Sequence, residues 1–500
     1  MSLVTILENG SRSGHGYIKM QENNHETLLA GAEYQDAFSD LQWALRGPNG
    51  NWAIRLLGFV LRKAFRKGCS SITFDRLSFE QAMEQVSSDH LLVLAPTHRS
   101  MMDFLVCSYL CYAHPELKIS IPYIAADLQL GKLPFLGWLL KQAYAFYIKR
   151  GQGKADPELN AQLQQLVAKQ QTLEIFIEGT RSRARQCLHP KRGLLRALQQ
   201  TGVACSLLPI TINYDRVPEE EALVKELHGG PKPLMRLGPL LKWCAKLIKG
   251  NVQIGRVHMV CGEPVHMHSD SDVKVVSYAI MKQLQENYVV SSFHLQAFLH
   301  HHPSIGFDIQ RLTRAIQERG GTVIQSPLKD VTGVDRLTEY SFRYQWMHLF
   351  FSDLLAQYSH HPILDHHIQI NAFSERYRRT SLERKQDQHI QVLLQTLFEP
   401  LEQVYAKLFE ALSQETSLPF EHPKAFVKQH PECFLPMVEE ALAHLTAAQL
   451  IMKTENSKGF VKGEAWDTHA SLYLSPLWEP RPQAPDFAGQ IEVQAPLSSS

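Results

Sequence analysis

His98 and Asp103 stand five positions apart, just beyond the apolar run Leu91–Ala95. An apolar strand that ends in Pro96-Thr97-His98 and passes into a helical pattern puts both residues at a strand-to-helix junction. At such a place an imidazole can take a proton from a hydroxyl, provided a carboxylate holds its other nitrogen in the right tautomer. Ser100-Met101-Met102-Asp103 also fits a helix start, with a capping serine and an acid three residues on, and taken alone Asp103 is better read as part of that cap. Taken with His98, it stays open between helix cap and orienter of the imidazole. Ser100 is not on a G-x-S-x-G elbow, and capping explains it better than covalent catalysis does.

A second group of residues favours a partner for that base. Phe176–Arg183 reads FIEGTRSR: an apolar run stops at Glu178, Gly179 allows a tight turn, and Thr180, Arg181 and Arg183 follow. Guanidinium forks beside a glycine turn suit phosphate oxygens, which they bind in pairs. A solvated turn with surface arginines is the plainer alternative. Upstream, AFYIKR brings Lys149 and Arg150 to the end of another strand, and LLPITINY carries Pro209 in a third. Three such strand ends downstream of a histidine–aspartate pair describe a base beside an anion site.

The elements that must position these residues alternate. Strands are expected at Leu91–Ala95, Ile119–Ala125, Ala145–Ile148, Leu173–Ile177, Cys205–Tyr214 and Val257–Val260. Helices are expected at Met101–Ala113, Phe135–Ala143, Pro157–Gln170 and Leu194–Gln200. Alternation of this kind predicts an α/β domain with a mostly parallel central sheet and flanking helices. Beyond Val265 long helical patterns take over and predict a mostly α-helical C-terminal region. The expected divisions are an N-terminal segment over 1–50, an α/β domain over 51–265, a helical domain over 266–475 and a disordered, proline-rich tail over 476–500.

Two helical stretches are basic and amphipathic. Asn51–Lys67 places Ile54, Leu57, Val60, Leu61, Ala64 and Phe65 on one face and Arg55, Arg62 and Arg66 beside them, with no acidic residue. Leu237–Lys249 repeats the pattern with Lys242, Lys246 and Lys249, inside a segment, Lys225–Arg256, with seven basic residues and one acid. Such helices suit an anionic membrane surface. The whole chain, 500 residues at net charge +1, gives no basicity that would point to nucleic acid. No signal peptide and no simple membrane span are expected, which makes the reading a peripheral protein on the cytoplasmic face of a membrane. Eight scattered cysteines suggest a reduced compartment, with Cys107 and Cys111 packing in a helix. The histidine runs His300–His302, His360–His361 and His366–His367 read as loop or surface features, not as metal ligands.

HRSMMDF, AFYIKR, FIEGTRSR and LLPI, in this order, resemble the four sequence blocks of the glycerophospholipid acyltransferase family. The likeness is densest from Leu91 to Val265. Within the family, HRSxxDF followed by EGTRSR is more like the glycerol-3-phosphate and dihydroxyacetone-phosphate branch than the lysophosphatidate branch. The resemblance implies transfer of a long-chain acyl group from acyl-CoA, or from acyl carrier protein, to a hydroxyl of glycerol 3-phosphate. Dihydroxyacetone phosphate and lysophosphatidate are the alternative acceptors, and a non-catalytic membrane-bound lipid-binding protein is the rival of another class. It further implies His98 as base, Asp103 as its orienter, and Glu178, Gly179, Arg181 and Arg150 as holders of the acceptor phosphate. Lys149, Thr180 and Arg183 would lie beside these, and Pro209 would shape the acyl-donor side. Backbone amides after His98 are a candidate for stabilising the oxyanion. No metal or other cofactor is implied. One departure stands out: the second block usually has a glycine ahead of its aromatic residues, where this chain has Tyr144-Ala145.

Overall fold

The structure, a computed structural model, describes residues 26–30, 52–127, 136–142, 144–148, 157–231, 253–331, 334, 343–358, 361–374, 388–414, 417–418, 423–454 and 459–478. Nine strands form its main sheet: β1 (Glu26–Ala30), β2 (Ser71–Asp75), β3 (Leu91–Pro96), β4 (Tyr123–Asp127), β5 (Ala145–Ile148), β6 (Leu173–Glu174), β7 (Cys205–Tyr214), β8 (Arg256–Cys261) and β9 (Val265–Met267). The order is β1-β2-β8-β7-β3-β6-β4-β5, with β9 also on β7. β3 lies in the middle, parallel to β6 and to β7. β2 with β8, and β4 with both β5 and β6, are parallel as well. Antiparallel pairing is confined to β1–β2, β7–β8 and β7–β9. The expected α/β class with a mostly parallel sheet is what the chain adopts.

The helices of this part are α1 (Trp52–Gly68), α2 (Arg76–Glu84), α3 (Asp103–Ala113), α4 (Leu136–Gln142), α5 (Pro157–Ala168), α6 (Gly193–Gln199), α7 (Glu220–Leu227) and α8 (Val273–Glu286). Strand side chains alternate between faces, so one strand feeds two cores. On β3, Leu94 joins the core under α1, α2 and α3, while Leu91, Val93 and Ala95 join the core under α5, α6 and α8. A parallel strand covered on both faces reads as a continuous apolar run, which is why LLVLAP was legible. Helix α8 belongs to this packing through Val276, Ile280 and Leu284, so the α/β layers continue past residue 265. They also reach back to Glu26–Ala30, which pairs with β2.

Two expected strands are displaced. β4 begins after Pro122, a residue that cannot donate to a ladder. β6 pairs formally for two residues, and one further bond, Ile175 N donating to Leu94 O at 2.9 Å, precedes the departure towards Glu178. Helix α1 buries Ile54, Ala64 and Phe65 of its expected apolar face, but it exposes Val60 and buries Arg62. Gly58 faces Tyr112 of α3 so closely that a Cβ would lie 2.4 Å from the ring, and this contact carries Arg62 into the interior. Trp52, Leu56 and Val60 are turned outward instead. The second basic stretch, 237–249, lies outside the described residues.

The later chain is mostly helical, as expected, around a core of its own. It opens with the parallel strands β10 (Val289–Ser291) and β11 (Thr322–Ile324), joined through α9 (Ser292–His301) and α10 (Ile309–Glu318). Ser291 and Ser326 both donate their hydroxyls to the buried Asp215 carboxylate, which ties this unit to the end of β7. There follow α11 (Phe351–Tyr358), α12 (Pro362–Asn371), α13 (Gln388–Gln414), α14 (Pro423–Gln429), α15 (Leu435–Ala447) and α16 (Trp466–Leu474). A small antiparallel sheet of β12 (Ser417–Leu418), β13 (Ile451–Lys453) and β14 (Phe460–Lys462) lies among them. Two expectations need correction. His361 and His367 are buried, His367 against Glu440, because α12 packs them inward. Leu477 is buried and Trp478 donates to Glu402, so the chain is still packed beyond Pro476.

One side chain of the sheet is out of keeping with its surroundings. Glu174 on β6 is wholly buried, and neither carboxylate oxygen has a hydrogen-bond partner among the described residues. Burial, reinforced by the nearby Asp103 charge, pushes this carboxyl well above its ordinary value of 4.5 and holds it neutral. A folded-state value above the unfolded one means that the folded protein binds the extra proton. The contribution is fully present below 4.5 and is lost as pH rises from there through the folded value. Glu174→Met should therefore raise the unfolding temperature of the α/β region at pH 7, by about 2–4 °C per kcal/mol relieved. Calorimetry at a series of pH values checks this. The advantage should shrink as pH falls towards 4.5, and an advantage independent of pH would refute a neutral Glu174.

Candidate active site

His98 follows β3 at the carboxyl end of the central strand, where open α/β sheets place their ligands. Its Nδ1 lies 3.0 Å from Asp103 Oδ2. That carboxylate is fully buried and fully engaged. Oδ2 also accepts the Arg99 amide at 2.7 Å and the Ser100 amide at 2.9 Å, and Oδ1 accepts the Tyr214 hydroxyl at 2.7 Å. With Asp103 accepting at Nδ1–H, Nε2 is the basic nitrogen of the ring. The imidazole is further held by stacking on Phe176, with centroids 4.2 Å apart. Burial, then the adjacent Asp103 charge, raises Tyr214 well above its ordinary 10.0, so its hydroxyl stays protonated and donating.

Helix α3 begins at Asp103, and no side chain caps it at Met102. Ser100 does not act as the expected N-cap. Its hydroxyl accepts from Met102 N and donates to Glu219 Oε2 at 2.9 Å. It is completely buried and committed to a carboxylate, which removes it as a nucleophile. Asp103 reaches back to the Ser100 amide, so it shapes the helix start and orients His98 together. The backbone amides after His98 are likewise spent: Arg99 and Ser100 on Asp103, Met101 on Glu219 at 2.5 Å, Met102 on Ser100. They are not available for an oxyanion, contrary to the expectation from sequence.

The turn after β6 is held against this loop by Glu178. Its carboxylate accepts from His98 N at 3.0 Å, from Arg99 Nη1 at 2.7 and 2.8 Å, and from Leu188 N at 2.9 Å. In return Ser182 N donates to the His98 carbonyl at 3.0 Å. Glu178 is 1% exposed and points into this network. It fixes the base and does not face a phosphate, which corrects its assignment as an acceptor ligand. Gly179 has φ +68°, a left-handed conformation, and a Cβ there would meet the Lys191 stem at 2.8 Å.

Thr180, Arg181 and Arg183 line a cleft of about 320 Å³ beside the His98 loop. Glu226 of α7 and Pro436 and Glu439 of α15 close its other side. Arg181 pairs with Glu219 at 3.0 Å, the carboxylate that also takes Ser100 and Met101. Arg183 is shared between Glu226 at 3.1 Å and Glu439 at 3.3 Å. The structure thus brings together His98, Asp103, Glu178, Gly179, Thr180, Arg181 and Arg183. Lys149 and Arg150 lie outside the described residues. Pro209 does not border the cleft. It is buried inside β7, at the position where the neighbouring strand changes from β9 to β8 and a missing N–H is harmless; its carbonyl accepts Gly262 N at 2.8 Å.

Tyr144, where the resemblance led one to expect glycine, has φ +66° and stacks on Tyr123 with centroids 4.7 Å apart. A left-handed residue with a side chain costs roughly 1–2 kcal/mol. Sequence reasoning missed Arg99, Tyr214 and Glu219. Tyr214 had a signal, since strand parity puts it on the face of Ile210 and Ile212, above α3. Glu219 had none: it comes from a loop more than a hundred residues away from Ser100 and Met101 in the chain.

A family model described as Acyltransferase matches residues 79–213. The dihydroxyacetone phosphate acyltransferase of Homo sapiens is 33% identical over 226 residues, covering 43% of this chain and 32% of that protein. The glycerol-3-phosphate acyltransferase of Xanthomonas axonopodis pv. citri is 32% identical over 234 residues, covering 45% of this chain and 25% of that protein. The chain thus spans about a third or less of the length of these curated relatives. The crystal structure of a 1-acyl-sn-glycerophosphate acyltransferase from Thermotoga maritima aligns at 16% identity over 49% of this chain and 92% of that one, with a TM-score of 0.27, too low to bear on the argument. The segment from Phe79 to Asn213, which carries His98, Asp103 and Glu178, is thus the part of the chain that matches the acyltransferase family model.

Proposed function

We propose that this protein transfers a long-chain acyl group from a thioester, acyl-CoA or acyl carrier protein, to the hydroxyl of glycerol 3-phosphate at a membrane surface. The observation that carries the reading is the His98–Asp103 pair, buried on its carboxylate side and set beside a cleft lined by Arg181 and Arg183. The matching family model over the same residues supports it.

In this mechanism His98 Nε2 takes the proton of the acceptor hydroxyl as its oxygen attacks the thioester carbonyl carbon. The tetrahedral intermediate then collapses, the carbon–sulfur bond breaks, and the thiolate receives the proton back from the imidazolium. Asp103 stabilises that imidazolium, and Tyr214 and the two amides keep Asp103 in place. Base catalysis of this kind supplies ~10²–10⁴ in rate. Arg181 and Arg183 hold the acceptor phosphate, which positions the hydroxyl. No resident metal or cofactor takes part in these steps.

The membrane side of the proposal rests on α1. Trp52, Leu56 and Val60, a stripe at helical spacing, are 57%, 49% and 40% exposed. Arg55, Lys63, Arg66 and Lys67 flank them, and Lys63 lies over the Phe59 ring at 4.5 Å. Trp138 of α4, 48% exposed, extends the patch, its ring 5.8 Å from that of Trp52. Exposed aromatic and aliphatic groups ringed by cations suit an anionic lipid surface. No described helix is long and apolar enough to cross a membrane; the attachment proposed is through this surface patch.

His98→Ala should lower kcat by at least 10²-fold while leaving the unfolding temperature and vesicle binding unchanged. Activity near wild type in that variant would overturn the mechanism. Arg181→Ala should raise the KM for glycerol 3-phosphate by more than tenfold and leave the acyl-donor KM within twofold, since loss of a charged hydrogen bond costs about 1.5–3 kcal/mol; the reverse pattern would remove Arg181 from the acceptor site. Sedimentation with phosphatidylserine vesicles at low salt should retain the wild-type protein and lose the Trp52→Ala/Trp138→Ala double variant. Equal retention of both would place the membrane contact elsewhere.

A further inference from the structure

The C-terminal helices do more than border the arginine cleft: one of their carboxylates occupies a cation of the turn. Arg183 donates through Nε to Glu226, on α7 of the α/β part, and through Nη1 to Glu439, on α15. The two carboxylates differ in their surroundings. The Glu226 side chain is 4% exposed, whereas that of Glu439 is 41% exposed. Glu226 has nowhere else to go. Glu439 can turn into water at little cost, because a partly exposed ion pair is worth no more than ~1 kcal/mol.

We propose that Glu439 sets the affinity for the acceptor by holding the Nη1 edge of Arg183 in the free protein and yielding it to the acceptor phosphate. Deepening the acyltransferase reading, this assigns the helical region a part in acceptor recognition. Three observations support the exchange. The Arg183 guanidinium is 29% exposed and lines the cleft together with Glu439, so a phosphate in the cleft and the Glu439 carboxylate compete for one edge. The other edge stays with Glu226 and keeps the guanidinium in place. The contact between the two parts of the chain is built to persist without this pair: Leu227 of α7 packs into the core of the helical region, and a Cβ on Gly229 would lie 2.7 Å from the Lys424 carbonyl of α14. The Arg183–Glu439 bond is therefore dispensable for docking, while its charge stands where an anion must enter. Glu439 acts through Arg183 and is a positioning residue.

The test compares Glu439→Gln with the wild-type full chain, by calorimetric titration with glycerol 3-phosphate, dihydroxyacetone phosphate and inorganic phosphate and by steady-state kinetics. Removing the competing charge should lower the dissociation constant for all three anions two- to fivefold and lower the acceptor KM by a like factor. Here kcat, the acyl-donor KM and the unfolding temperature should stay unchanged. Unchanged or weaker anion binding in the variant would overturn the proposal and leave Glu439 as a structural tether. If neither protein binds any of the three anions, the cleft is not an acceptor site, and the reading on which the proposal rests falls with it.

Discussion

The Glu178 carboxylate is the tie on which the site depends. Two strand ends, after β3 and after β6, must be fixed in register for His98 on one to stand next to the arginine turn on the other. Backbone pairing between these strands ends too early to do it. Glu178 continues the connection in side-chain form, taking the His98 amide, the Arg99 guanidinium and the Leu188 amide, while Ser182 answers through the His98 carbonyl. Burial makes the tie effective, because charge-assisted hydrogen bonds strengthen where water is excluded. It also makes the tie exacting: with one partner removed, a charged group is left buried and unpaired. The glutamate of the EGTRSR block thus belongs to the same machinery as the histidine of the HRSMMDF block.

The hydrogen-bond accounting of the loop limits what the chemistry can use. Every amide from Arg99 to Met102 is committed to Asp103, Glu219 or Ser100. This is what a rigid base requires, since an imidazole is only as well placed as the carboxylate that holds it. The same commitment takes away the donors that a helix start would otherwise offer to developing negative charge. The junction after β3 is spent on orienting His98, and in the proposed reaction the oxyanion finds its donors on another element or on the acceptor itself.

What the sequence made legible follows the range of the interactions involved. β3, β7 and β8 were readable because a covered strand writes its burial into consecutive residues. Asp103 was readable because its partner His98 lies within one turn. Glu178 was readable as important but not in its role, since a carboxylate beside two arginines looks like part of an anion site until its own partners are seen. Glu219 and Arg99 were lost because their partners are set by the fold. In α1 periodicity gave the right kind of helix and most of its inner face, Ile54, Ala64 and Phe65, but not Val60 or Arg62, because the close approach of Gly58 to Tyr112 draws Arg62 inward. The histidines of α12 were misplaced for a related reason: composition marks histidine as polar, and Glu440 makes His367 acceptable in the interior.

Charge balance around the cleft bears on how an anion can be held there. Arg181, Arg183, Arg185 and Arg216 face Glu219, Glu220, Glu226 and Glu439, and each of these arginines has a carboxylate at 3.3 Å or less. A bare cluster of guanidiniums so near together would repel itself and strain the turn. Pairing removes that cost in the empty protein, and it also means that an entering phosphate exchanges partners instead of adding one. The bond easiest to exchange is the one whose carboxylate reaches solvent, Arg183–Glu439, while Arg185 and its buried Glu220 stay fixed and carry the shape of the turn. On the proposed reading, a site arranged in this way holds its geometry before the acceptor arrives and gives up one exposed ion pair when it does.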